Sequence, residues 1–157
     1  MNTFYIDPVK LANKLGIDVK PIESKKNDSW IGIEIIPDDL CGYIENKNGN
    51  TTIYYNPNHH ENRKRFTIAH ELAHYMLGHL NENHKEYRDY AKNFKTTTYD
   101  SKEVAANKLA AQLLMPRDKL EFLIYKKNIT SVKELAKIMR VSEAAMVYRL
   151  KNLGWLK

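Results

Sequence analysis

Three things are scarce in this chain of 157 residues, and each scarcity removes a class of protein. Cys41 is the only cysteine, so no disulfide forms within the chain and no thiolate cluster can hold a metal. No run approaches the roughly 18 apolar residues that a membrane span requires. The opening MNTFYIDPVK has neither the basic start nor the apolar stretch of an export signal. A cytoplasmic protein with no membrane partner is therefore expected, and any metal must be bound by histidine and carboxylate. Internal repeats and low-complexity tracts are also missing. The length suits one compact domain, or a core with a small appendage.

Positive charge is what the chain has in excess, and it is unevenly placed. Residues 117–157 hold 10 Lys and Arg against 4 Asp and Glu, whereas residues 1–116 hold 15 against 15. The whole net charge of +6 thus belongs to the last quarter of the chain. A basic surface facing solvent is the simpler reading, and a nucleic-acid partner the more specific one.

Local patterns predict the elements. Asp7 and Pro8 read as an N-cap and first helical position, followed by an apolar stripe of Val9, Leu11, Ala12 and Leu15 that stops at Gly16. Residues 17–22, 30–36, 41–45 and 51–56 are short, β-branched and aromatic, and are separated by turn residues. Asn48-Gly49 predicts a hairpin because both residues tolerate positive φ. These strands predict a small antiparallel sheet ahead of a long helix whose apolar side is Phe66, Ala69, Ala73, Met76 and Leu77. Residues 81–98 are polar and without a clean period, and read as a loop with a short helix in it. Further helices are predicted over residues 101–114 and 117–127. Beyond Thr130, Ser131 with Glu134 forms a capping box, Arg140-Val141-Ser142 breaks the helix, and Ser142 caps another. Two short helices joined by a tight turn make a helix-turn-helix-like pattern.

The stretch RFTIAHELAHYMLGH, residues 65–79, carries the chemistry. His70 and His74 are four apart on a helix, which places their Cβ atoms about 5 to 6 Å apart on one face, where two imidazoles can converge on one metal. Glu71, rotated about 100° from His70, sits beside such a metal and can take a proton from water there. With this chain's composition, H-E-x-x-H arises by chance roughly 1 to 2 times in a hundred, so the motif alone does not decide. Two half-buried histidines on an amphipathic helix would give the same letters.

A catalytic zinc normally takes three protein ligands. A metzincin would have histidine where this chain has Leu80 and glycine where it has Leu77, so that class is excluded. His79 is five residues from His74 and rotated off the ligand face, and His84 lies in the polar stretch; both read as surface or supporting residues. Glu103 is the better third ligand. Glu103, Asn107, Ala110 and Leu114 form one stripe on an alanine-rich helix, and a carboxylate on that packing face is costly unless a cation meets it. Its competing role is that of an acid favoured by the helix N-terminus.

The segments Arg65-Phe66-Thr67, His70-Glu71-Leu72-Ala73-His74, Glu103-Val104-Ala105-Ala106-Asn107 and Ala110-Ala111-Gln112-Leu113-Leu114-Met115-Pro116, with the final VSEAAMVYRLKNLG, resemble the ImmA/IrrE family of metallo-endopeptidases over roughly residues 56–155. The resemblance implies an α+β fold: a zincin-like metalloprotease core over residues 1–127, with its sheet packed on the H-E-x-x-H helix, and a helix-turn-helix-like segment over residues 128–157 packed on that core. It implies zinc, or manganese, held by His70, His74 and Glu103, with Glu71 as the catalytic carboxylate. The implied substrate is a helix-turn-helix transcriptional repressor, cleaved by an anti-repressor of the kind carried on mobile elements. An extended substrate would pair with the strand at residues 51–56, read as an exposed edge. The rival readings are a DNA-binding regulator using Arg140 and Arg149, or a toxin-like one, with a structural or vestigial metal site.

Overall fold

A computed structural model describes residues 4–26, 34–80, 86–94 and 100–157. Helix α1 spans Pro8–Lys14, and the Asp7 carboxylate caps it by accepting from the Val9 amide at 3.0 Å. Strands β1 (Asp18–Pro21), β4 (Leu40–Lys47), β5 (Asn50–Tyr55) and β6 (Glu86–Tyr90) build the main sheet in the order β1-β5-β4-β6. Strands β2 (Lys25–Lys26) and β3 (Glu34–Ile35) form a separate ribbon. Helices α2 (Glu61–Met76), α3 (Ser101–Leu114), α4 (Arg117–Glu121), α5 (Val132–Met139) and α6 (Glu143–Asn152) complete the set, with α4 running on into a wider turn at Phe122–Lys126. No helix among the described residues is long and apolar enough to cross a membrane.

The hairpin forms as its sequence predicts, with Asn48 at φ 53° and Gly49 at φ 82° linking β4 to β5. The rest of the sheet corrects the expectation of a small antiparallel sheet preceding the metal helix. β1 runs parallel to β5, and β6 follows α2 in the chain and pairs antiparallel with β4. The predicted edge at residues 51–56 lies in the interior, with β1 on one side and β4 on the other. The strand expected over residues 30–36 is described only at its end, where β3 pairs with β2; Trp30 lies outside the described residues.

α2 is buried on two faces. Ile68 and Leu72 pack against the sheet with Ala12, Ile17, Ile44 and Ile53. Ala69 and Ala73 pack on the other side against Ala106, Ala110 and Ala111 of α3, in a cluster that continues through Leu120 and Leu123 to Leu135, Met139, Met146 and Leu150. Small residues at the crossing let the two helix backbones approach closely. Met76 and Leu77, expected on the apolar side, are exposed instead, because the helix runs past the sheet before they occur. The last two helices complete this second cluster, with Ser131 and Ser142 capping them by accepting from the amides of Glu134 and Ala145. Arg149, a candidate DNA contact from sequence, is buried, and its Nε donates to the Met115 carbonyl at 2.9 Å.

Gly42 sets how near α2 can come to the sheet. A Cβ there would collide with the Tyr54 carbonyl oxygen and lie 2.6 Å from Thr67 Cγ2 of α2. Gly42→Ala should therefore destabilise the protein by roughly 1 to 3 kcal/mol, the usual cost of overpacking. Denaturant unfolding of the two proteins checks this, and equal midpoints would show that the sheet yields.

Candidate metal centre

α2 begins where the His60 Nδ1 accepts from the Asn62 amide at 3.0 Å, and each residue from Thr67 to His74 is buried. Burial on two faces leaves a third direction, and the side chains pointing that way are polar. His70, Glu71 and His74 are all at 0% exposure. α3, capped by Asp100, brings Glu103 against them at 2% exposure, and β6 brings Asp89 at 0%.

These side chains converge. His70 Nε2 lies 2.9 Å from Glu103 Oε2 and 3.3 Å from Asp89 Oδ1. His74 Nε2 lies 3.3 Å from Glu103 Oε1 and 3.4 Å from Asp89 Oδ2, and the two Nε2 atoms are 3.0 Å apart. One donor atom from each of His70, His74, Asp89 and Glu103 lies within 4.8 Å of every other. A tetrahedral ion with bonds of about 2.0 to 2.1 Å has ligand atoms about 3.4 Å apart, close to the spacing of the two Nε2 atoms from each other and from the nearest carboxylate oxygens.

Electrostatics agree with a cation. Burial works against charge on His74, yet its bonds to Asp89 and Glu103 prevail and lift it to about 9. His70 is raised by the same two carboxylates against the same opposition from burial. Burial alone would raise Asp89, but bonds to Glu71, His70 and His74 hold it well below the usual carboxylate range. The two carboxylates thus favour positive charge at the imidazoles. A divalent cation held there would supply that charge and leave the imidazoles neutral, as ligation requires. Glu71 behaves differently: burial first and the Asp89 charge second push its carboxyl well above the usual carboxylate range, which makes it a stronger base than a solvated glutamate.

Around the donors lies a supporting layer. His79 Nδ1 is 2.8 Å from His74 Nδ1, fixing the orientation of that ring from behind, a common arrangement at metal sites. The rings of Phe94 and Phe66 sit 4.5 and 6.3 Å from that of His70. Both phenylalanines also line a mainly apolar cleft of about 730 Å³, whose opposite wall includes Ala145 and Tyr148 of α6.

The structure thus brings together His70, His74 and Glu103, sets Glu71 beside them, and places His79 behind His74; His84 lies outside the described residues. Sequence reasoning missed Asp89. It lies in the stretch read as a loop, of which residues 86–90 form β6 and residues 91–94 a short 3-10 turn. One signal was available: residues 81–98 contain neither glycine nor proline, and Tyr87 and Tyr90 suit a strand.

Metal analysis of the purified protein should find about one divalent ion per chain, lost in both His70→Ala and Glu103→Ala. Metal retained in Glu103→Ala would remove that residue from the ligand set.

A search of curated proteins finds no significant match. A family profile described as the IrrE N-terminal-like domain, of the M78 peptidases, matches residues 12–151. That span takes in both histidines, Glu71, Asp89, Glu103 and most of the terminal helices, and so the chain belongs to the IrrE N-terminal-like M78 peptidase family.

Proposed function

We propose that the protein is a zinc-dependent endopeptidase that cleaves a helix-turn-helix transcriptional repressor and so acts as an anti-repressor. The observation that carries this reading is the buried convergence of His70, His74, Glu103 and Asp89 beside Glu71, in a member of a metallopeptidase family. His70, His74 and Glu103 are assigned as ligands of zinc, with manganese an alternative that the same donors accept. The bound ion would act as a Lewis acid toward water and the scissile carbonyl.

The chain's own groups do the rest. Glu71 accepts the proton of the attacking water and returns it to the leaving amine, a transfer favoured by a site that excludes bulk solvent. His79 keeps the His74 ring from turning. The cleft beside Phe66 and Phe94 takes an apolar side chain flanking the scissile bond, with α6 as its far wall. The repressor as substrate comes from the family resemblance.

A DNA-reading regulator has less support. Of the two arginines it would use, Arg149 is buried against Met115, and Arg140 stacks on Tyr5, its guanidinium carbon 3.8 Å from the ring centroid. The apolar faces of α5 and α6 fill the core. The proposed division into residues 1–127 and 128–157 is accordingly one of role, in which the terminal helices wall the substrate cleft.

Zinc-loaded protein should cleave its cognate repressor, and Glu71→Gln should slow cleavage by roughly 10²- to 10⁴-fold while keeping its metal. Undiminished cleavage by Glu71→Gln, or none by the wild type, would overturn the proposal. Full cellular effect in Glu71→Gln would point to a toxin-like action.

A further inference from the structure

We propose that β6 is a resident stand-in for substrate, and that Asp89 is a fourth protein donor closing the metal centre until the strand is displaced. This rests on the reading of the site as a metallopeptidase. Peptidases that grip an extended chain do so by main-chain pairing with a sheet edge beside the metal. Here the strand beside the histidines is β4, whose Gly42 touches Thr67 one turn before His70 on α2. Its outer edge is taken by β6, antiparallel and in unbroken register from Glu45 with Glu86 to Gly42 with Asp89.

The register contains a bulge at the point that matters. Two steps along β4, from Leu40 to Gly42, match one step along β6, from Tyr90 to Asp89, which leaves Cys41 as the extra residue. Bulges bend a strand and re-aim its side chains. Asp89, opposite Gly42, is aimed inward and wholly buried, with its two oxygens 3.3 and 3.4 Å from the two Nε2 atoms and its carboxylate against Glu71. That is where an attacking water must stand, between the metal and Glu71. A catalytic zinc has three protein donors and one open position, whereas four protein donors make a closed site. His70, His74, Glu103 and Asp89 are four.

The blocking element is also built to leave. β6 has five residues and pairs on one side only, since no strand among the described residues covers its outer edge. Short edge strands are the segments a sheet releases most readily. An extended segment of the protein substrate would compete with β6 for β4 and carry Asp89 off the metal as it pairs.

Cobalt(II) substitution tests this through its visible spectrum, with acetohydroxamate as a probe for an open coordination position. Cobalt-loaded wild type should have a spectrum that acetohydroxamate leaves unchanged. Asp89→Asn and Asp89→Ala should respond to it, lose cobalt to a chelator at least about 10-fold more readily, and cleave an unstructured peptide faster than wild type. Thermal melting establishes that each variant folds, and the wild-type titration decides the matter even if neither does. Cobalt bound in wild type with an immediate response to acetohydroxamate would overturn the closed site and leave the metallopeptidase reading standing. Failure of wild type to bind cobalt would overturn both.

Discussion

Five ionisable side chains lie together here at 2% exposure or less: His70, Glu71, His74, Asp89 and Glu103. Charge in such a place is costly unless every group meets a partner, so the cluster tolerates little error in position. The surrounding structure can be understood as what that tolerance demands. α2 is clamped from two directions by apolar clusters, so its third face cannot rotate. Alanines at the α2–α3 crossing bring Glu103 within 2.9 Å of His70, where bulkier side chains would hold the helices apart. Gly42 does the same between helix and sheet.

What could be read from the chain was whatever rests on local spacing. Positions i and i+4 on one helix fix the relation of His70 to His74, and a stripe of period 3.6 puts Glu103 on the buried side of α3. The caps at Asp7, Ser131 and Ser142 and the Asn48-Gly49 turn are equally local. Asp89 was hidden because pairing of β6 with β4 joins residues more than forty positions apart, and an aspartate in a weakly hydrophobic strand has no periodic signature. The parallel placement of β1 and the interior position of β5 were hidden for the same reason. Composition misled in one place: Arg149 adds to a basic tail by count, yet it is a buried donor to the Met115 carbonyl.

The terminal helices show how a charge tally and a packing role coexist. Leu135, Ala136, Met139, Met146 and Leu150 face inward and join the cluster under α2 and α3. The three lysines on α5 and α6, Lys133, Lys137 and Lys151, are all exposed. The basic character belongs to the surface, whereas the helices are held by their apolar stripe, so a variant that removes surface charge need not disturb the fold.

Arg65 has a consequence in time as well as in space. Its Nε donates to the Arg140 carbonyl at 3.1 Å across 75 residues, its Nη2 donates to the Ile6 carbonyl, and both arginines stack on Tyr5. One guanidinium on the first half of α2, five residues before His70, therefore ties the beginning of the chain to the turn between α5 and α6. Contacts of such long range form late, after the loop between them has closed. On the ribosome Arg65 can make the contact with Arg140 only once that residue has been synthesised, long after the histidines that follow Arg65 on α2.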